Sequence, residues 1–203
     1  MKKLLFFKIV LLISIIGVII FSLLFVLYIY DITQINKTSK KLADSFSLSY
    51  LYSNNPAYFT SSEISEISKI KSSPDYFVIG IIKIDKLKLD YPILSEVSDE
   101  LLKIAPCRFA GPLPNNIGNL CIAGHNYIDN TFFARISSLE YGDEIDIYGI
   151  DGNLVKYYVF DKKEVDSSDT SCTSQETFGK RKITLMTCNS VKGTRIIVQA
   201  LET

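Results

Sequence analysis

The stretch KITLMTCNSVKGTRIIVQALE, Lys182 to Glu202, reads as two apolar β-strands joined by a short polar loop. Cys188 ends the first strand, and Arg195 begins the second. A structural cysteine is expected among the apolar residues inside a strand. Cys188 instead opens the loop, which is where a rigid scaffold displays residues that do chemistry. The stretch therefore indicates a β-rich domain that presents a thiol and a guanidinium at strand ends.

The pattern of short strands extends back to Tyr76. Apolar or alternating runs predict two strands within residues 76–94, one at 118–124, and a hairpin around the Asp-Gly turn at 151–153. Roughly eight short strands with few helices indicate a single all-β domain, either a barrel or a sandwich. The polar segment from Val165 to Arg181 is too long for a hairpin turn, and this length indicates a functional loop.

The first thirty residues form a different kind of segment. Ile9 to Tyr30 is uncharged, apolar and long enough to span a bilayer as one helix. Lys2, Lys3 and Lys8 precede it with no acidic residue, so we expect the amino terminus in the cytoplasm. The run is too long for a signal peptide and no small-residue cleavage pattern ends it, so an uncleaved single-pass anchor is favoured. The following domain is then extracellular.

Residues 31–75 are polar and serine-rich, and we interpret them as a stalk. Thr60 and Glu63 form a capping-box pattern, and isoleucines then recur at every third position, which predicts a short helix at 61–71. The predicted organisation is a cytoplasmic tip and transmembrane anchor (1–30), a stalk with a helical segment (31–75), and a catalytic β-domain (76–203).

Composition narrows the possible functions. The chain has 203 residues, 47% hydrophobic and 22% charged, which suits one folded domain with an appendage. Formal charge is zero and there is no basic run, so nucleic acid is not an expected partner. The four cysteines form no C-x-x-C pair and there is one histidine, so we predict neither a zinc site nor another cofactor. Cys107 and Cys121 can either pair as a disulfide or be buried separately.

His125, the only histidine, follows the apolar strand LCIAG and so shares with Cys188 and Arg195 a place at a strand end. A nearby imidazole or cation favours the thiolate, which attacks a carbonyl better than a thiol does. Imidazole can also protonate a leaving amine, and a guanidinium can hold a developing oxyanion. If these strands are neighbours, the trio predicts acyl transfer.

Each of these residues also has an ordinary structural interpretation. A cysteine at a strand end is often a small core residue, a histidine in a loop is often a surface group, and an arginine beside a strand often meets only water or a carboxylate. Chemistry alone therefore reaches no further than a cysteine acyltransferase that is anchored in a membrane and faces outward.

TLMTC at 184–188, RIIVQA from Arg195, and AGH at 123–125 together resemble the sortase family, over about Tyr76 to the end of the chain. The resemblance implies an amino-terminal anchor, a stalk and a single eight-stranded sortase-type β-barrel with short helices. Three separated elements and the anchor agree, so the resemblance is specific.

The resemblance also implies roles for the site residues. Cys188 is the implied nucleophile, His125 the acid and base, and Arg195 the group that holds the substrate carbonyl or the oxyanion. Thr187 precedes the nucleophile as in the family and is the implied substrate-binding residue. The implied reaction cleaves an LPxTG-like carboxy-terminal sorting signal through a thioester and transfers the surface protein to an amine of a cell-wall precursor. No metal is implied.

The subclass follows from two features. SPDYF does not match the Asp-Pro-aromatic lid of pilin-polymerising members, and no second apolar segment follows Leu201, so an A-like or D-like sortase is expected. The Val165–Arg181 loop falls where the family reads its sorting signal. Its acids Asp166, Asp169 and Glu176 can bind calcium as in some members, but solvated loop acids are favoured because no ligand spacing supports a site.

Two alternatives of other kinds stay open at this point. The first is an extracytoplasmic cysteine peptidase that uses water as the acceptor, and the second is a non-catalytic module that binds a peptide without cleaving it. An L,D-transpeptidase is disfavoured because that family keeps its histidine and cysteine a few residues apart, whereas His125 and Cys188 are far apart here.

Overall fold

The structure is a computed structural model that describes residues 2–54, 77–127 and 129–202. It divides the chain into two compact units, Met1–Lys37 and Thr38–Thr203. The predicted helix at 61–71 and the SPDYF motif, up to its tyrosine, lie outside the described residues.

The first unit consists of the amino-terminal part of a long helix, α1 (Lys2–Asn54). The described side chains from Phe6 to Asp31 are exposed and almost all apolar, and the helix is long and apolar enough to cross a membrane. Apolar side chains on every face of a helix are typical of a segment surrounded by lipid. The helix therefore suggests a membrane-anchored protein. Helical structure continues through 31–54, where the sequence showed only weak helical spacing.

The second unit contains a closed β-barrel, as predicted. Its eight strands within the described residues are β1 (Val78–Ile84), β2 (Leu89–Leu94), β3 (Cys107–Ala110), β4 (Gly118–Ala123), β5 (Glu144–Gly149), β6 (Leu154–Asp166), β7 (Arg181–Asn189) and β8 (Thr194–Glu202). The strand order around the barrel is β1-β2-β3-β4-β7-β8-β6-β5, and β5 pairs with β1 to close it. The β2–β3 and β4–β7 pairs are parallel, and the others are antiparallel.

Short helices occupy some of the connections. A short helix α2 (Asp99–Leu102) precedes β3, and 3-10 turns lie at Asp85–Leu87, Ile136–Ser138 and Ser171–Thr173. The last of these turns lies within the predicted long loop, which spans residues 167–180 in the structure.

Alternation along the strands separates the core from the outer face of the barrel. β7 contributes Ile183 and Leu185 to the core, and β8 contributes Val198 and Ala200, all of them fully buried. Successive side chains of a strand point to opposite faces. The intervening residues of β7 and β8 therefore face outward, and Cys188 is one of them.

Cys107 and Cys121 are free thiols buried in different places. Cys107 packs with Leu94 and Ala105, whereas Cys121 belongs to a second cluster on the outer face of β4 and β7. Of the two alternatives that the sequence left open, the structure shows separate burial.

Candidate active site

The three predicted catalytic residues lie at the same end of three neighbouring strands. β7 lies between β4 and β8, and Cys188 of β7 is the register partner of Arg195 of β8. β4 runs parallel to β7, and the Gly124 amide, directly beyond β4, donates to the Met186 carbonyl at 3.1 Å. His125 therefore follows beside the last residues of β7.

The thiol and the guanidinium project from one face. Met186 belongs to the cluster on the outer face, and Cys188 lies two residues further along the same strand. Arg195 is directly opposite Cys188, and directly opposed residues of an antiparallel pair share a face. Cys188 is exposed and Arg195 is half-buried, so both groups are open to a ligand outside the barrel.

His125 is held through its backbone and its ring. Its carbonyl accepts a hydrogen bond from the Phe133 amide at 3.0 Å, and its ring centroid lies 5.0 Å from that of Tyr127. Phe133 packs directly against Gly124, where an added Cβ would lie 2.8 Å from a carbon of the Phe133 ring. Glycine is therefore required immediately before the histidine.

A side-chain hydrogen bond joins the histidine segment to the cysteine strand. Asn126 Nδ2 donates to the Cys188 carbonyl oxygen at 2.9 Å, and the Asn126 backbone forms a bridge with Phe132. Because Asn126 directly follows His125, this bond fixes the histidine segment against the end of β7. Asn126 was not predicted from the sequence, where its one signal is its place beside the sole histidine.

Thr187 is buried, and its hydroxyl donates to the Gly124 carbonyl at 2.7 Å. Alternation places it on the face opposite to Cys188. The bond ties β7 to the residue before His125. Contact of Thr187 with a substrate remains a prediction.

The match to known proteins agrees with this arrangement. The family model of the Sortase domain matches residues 82–203, which include all eight strands except part of β1. This chain belongs to the sortase family.

Two relatives give the scale of the similarity. Sortase A of Bacillus anthracis is 34% identical over 116 residues, which cover 57% of this chain and 54% of that protein. The chain thus spans about half the length of this curated relative. The solved structure of a Clostridium perfringens Sortase D5 transpeptidase is 25% identical, with a TM-score of 0.60, and the match covers 83% of this chain and 97% of that one.

A second similar structure is Clostridium perfringens sortase C with the C-terminal cell wall sorting motif. It is 20% identical, with a TM-score of 0.56, and the match covers 84% of this sortase and 94% of that chain. At this identity the likeness concerns the fold alone.

In this sortase, the carboxylate of Glu164 binds three residues of the segment that connects Cys188 to Arg195. Glu164 of β6 accepts hydrogen bonds from Asn189 and Lys192, each at 3.0 Å, and from the hydroxyl of Thr194. These bonds hold the pKa of the Glu164 carboxyl below its usual value. No sequence pattern pointed to Glu164, because its role depends on the pairing of β6 with β8.

Burial lowers the pKa of His125 below its usual value of 6.5. Asp99 opposes this effect and Lys103 adds to it, both near α2. Low polarity around an imidazole disfavours its charged form. The histidine is therefore more readily neutral than a free one.

Two of the three loop acids considered as calcium ligands, Asp166 and Asp169, bind groups close to them in the chain. Asp166 accepts hydrogen bonds from the amide and hydroxyl of Ser168, and Asp169 accepts one from the Ser171 amide. Over the ranges that the structure describes, no group of three or more histidine, cysteine, aspartate or glutamate residues is arranged to hold a metal ion.

Proposed function

We propose that this sortase is a membrane-anchored cysteine transpeptidase in which Cys188 is the nucleophile, His125 the acid and base, and Arg195 the oxyanion ligand. The observation that supports it most strongly is the strand register, which brings the ends of β4 and β7 and the start of β8 side by side. Residues this distant in sequence share one edge of the barrel only because these three strands are adjacent.

In the first half-reaction, neutral His125 takes the proton of the Cys188 thiol, and the resulting thiolate attacks the carbonyl carbon of a peptide bond. The tetrahedral oxyanion accepts hydrogen bonds from Arg195, whose planar fork stays charged at all relevant pH values. The carbon–nitrogen bond breaks, and the imidazolium of His125 gives its proton to the departing amine. A thioester on Cys188 remains.

In the second half-reaction, neutral His125 takes a proton from an incoming amine, which attacks the thioester carbonyl. The carbon–sulfur bond breaks, and the Cys188 sulfur takes the proton back from His125, which restores the thiol and the neutral imidazole. Water can replace the amine and gives hydrolysis instead. No metal or other cofactor takes part in either step.

The substrate is a surface protein that carries a carboxy-terminal, LPxTG-like sorting peptide, and the acceptor is an amine of a cell-wall precursor. Two findings support this assignment. Clostridium perfringens sortase C has been solved with its sorting motif. Cys188 itself is exposed on the outer face of β7, where a peptide can reach its sulfur. Contact of Thr187 with this peptide belongs to the same proposal.

The domain arrangement is part of the proposal. Residues 1–30 form the cytoplasmic tip and anchor, 31–75 the stalk, and 76–203 the catalytic barrel on the extracellular side. The lysines before the apolar helix support this orientation. Similarity to a sortase A and to a Sortase D5 transpeptidase supports an A-like or D-like class.

Product analysis tests the function. The full chain in detergent micelles is incubated with a library of sorting peptides, with and without triglycine or diaminopimelate, and the products are identified by mass. We expect cleavage between Thr and Gly and a ligated product when amine is present. Hydrolysis that amine neither accelerates nor diverts would favour the cysteine peptidase, and binding without cleavage would favour the non-catalytic module.

The pH profile provides a further prediction. A buried imidazole with a lowered pKa loses its proton at a lower pH than free histidine. Because the reaction begins with neutral His125, we expect kcat/KM to fall on the acid side with a midpoint below pH 6.5. The measurement is peptide cleavage across a pH series. A midpoint of this acid-side fall in kcat/KM at or above pH 6.5 would show that the site stabilises the imidazolium, contrary to the effect of burial on His125.

A further inference from the structure

The outer face of β7 and β8 carries a line of three cross-strand pairs. The register pairs Cys188 with Arg195, Met186 with Ile197, and Thr184 with Gln199. We call these six residues the outer row. It passes from the reactive pair through an apolar pair to a polar pair, which is buried although it lies outside the core.

The polar end of the row holds the backbone of the long loop. Asn119 Nδ2 donates to the Cys172 carbonyl at 2.9 Å, and Gln199 Nε2 donates to the same oxygen at 3.3 Å. The second hydrogen of the Asn119 amide goes to the Ser174 carbonyl at 3.0 Å. We call Asn119, Thr184 and Gln199 the loop anchor.

The three side chains of the loop anchor are also hydrogen-bonded to one another. The Thr184 hydroxyl donates to Asn119 Oδ1 at 2.8 Å and accepts from Gln199 Nε2 at 3.1 Å. Both amide hydrogens of Asn119 and both of Gln199 are therefore used. Buried polar groups cost stability unless they are paired, and apolar residues would serve the barrel itself equally well. Besides one another, these side chains bind the backbone carbonyls of Cys172 and Ser174 in the loop, so we assign them the role of holding the loop.

The side chain of Cys172 gives the loop a second attachment. It is buried with Cys121, Met186 and Ile197, in the apolar cluster that includes the middle of the outer row. The same residue is thus held by its carbonyl oxygen and by its sulfur. The loop is fixed against the row that leads to Cys188.

We propose that Asn119, Thr184 and Gln199 are positioning residues that hold loop 167–180 as a preformed wall of the peptide site. This inference rests on the proposed function and deepens it. The anchor sets the affinity for peptide and takes no part in the chemistry. Thr184 and Gln199 lie two pairs along the outer row from Cys188 and Arg195, and Asn119 lies near the start of β4, away from His125. A substitution that breaks the anchor should therefore raise KM for the peptide and leave the arrangement of Cys188, His125 and Arg195 unchanged.

The test compares Thr184→Val, which removes the hydroxyl at nearly equal volume, with Thr184→Ser, which keeps it. We expect Thr184→Val to raise KM for the sorting peptide about tenfold, since it leaves one buried amide hydrogen of Gln199 and the side-chain oxygen of Asn119 unpaired. The value of kcat stays within twofold. Thr184→Ser restores KM. Lys162→Met, which removes hydrogen bonds to the Ser137 and Leu139 carbonyls elsewhere on the barrel, is the control for general destabilisation and leaves KM unchanged.

A second readout needs no turnover. Iodoacetamide is added to the full chain, and alkylation is mapped by mass at exposed Cys188 and buried Cys172 in the same sample. Thr184→Val should raise the rate at Cys172 about tenfold and leave the rate at Cys188 unchanged. If Thr184→Val fails to fold, Gln199→Met takes its place.

The outcomes separate this inference from the proposed function. Unchanged alkylation at Cys172 overturns the anchor whether or not the chain cleaves peptide. An unchanged KM, or a fall in kcat that Thr184→Ser does not rescue, overturns the positioning role. Absence of cleavage by the unmodified chain defeats the proposed function, while the alkylation result still decides whether the anchor holds the loop.

Discussion

Replacing Cys188 with alanine is expected to lower the rate of peptide cleavage by about four orders of magnitude or more. The proposed reaction passes through a bond to Cys188 Sγ, and no other sulfur can take its place. Cys107, Cys121 and Cys172 are buried. Burial raises the pKa of Cys107 and of Cys121 to about 12, so neither forms a thiolate near neutral pH.

The measurement is the initial rate of sorting-peptide cleavage by the full chain, followed by chromatography. Cys107→Ala is the matched control because Cys107 packs with Leu94 and Ala105, away from the outer row. It should keep the rate within a few-fold. A Cys188→Ala variant that retains a tenth of the rate, or a Cys107→Ala variant that loses as much, would contradict the assignment of the nucleophile.

Replacing Arg195 with lysine or glutamine is expected to lower kcat/KM by about 10²- to 10³-fold, the usual effect of losing one oxyanion donor. Lysine keeps the charge but replaces a planar fork with a point charge, so it should not restore the rate. The register partner of Arg195 is Cys188, and in the proposed reaction its guanidinium holds the oxyanion that forms next to the Cys188 sulfur.

Lys192→Met provides the control for this change. Lys192 is a cation in the same loop, but it is paired with Glu164 at 3.0 Å and is not opposite the thiol. It should change kcat/KM by no more than a few-fold, since exposed ion pairs contribute little. Equal losses in Lys192→Met and Arg195→Gln, with none in Arg195→Lys, would show that only the local charge matters.

The sequence predicted the part of the fold on which the site depends, because β7 and β8 are apolar runs with a polar segment between them. Cys188 and Arg195 mark the ends of that segment, and register then makes them partners. β3 was not identified, since it has four residues, only one of them buried. A strand this short is recognised by its neighbours rather than by its own pattern.

The supporting contacts of the site could not be predicted from the sequence. Asn119 looks like an ordinary residue of the strand GNLCIAG, yet its partner is a carbonyl 53 residues away in a loop. Glu164 likewise acts on residues of another hairpin. Such pairs depend on the order of strands around the barrel, which local propensity and spacing do not encode.

The intact mass of the protein during turnover tests the central claim most directly. The full chain is mixed with sorting peptide without amine, quenched in acid, and digested to locate any adduct. We predict a mass increase equal to the acyl part of the peptide, located on Cys188 and removed by hydroxylamine. An adduct on another residue, or cleavage with no thioester in rapid-quench samples, would contradict a reaction that proceeds through this thiol.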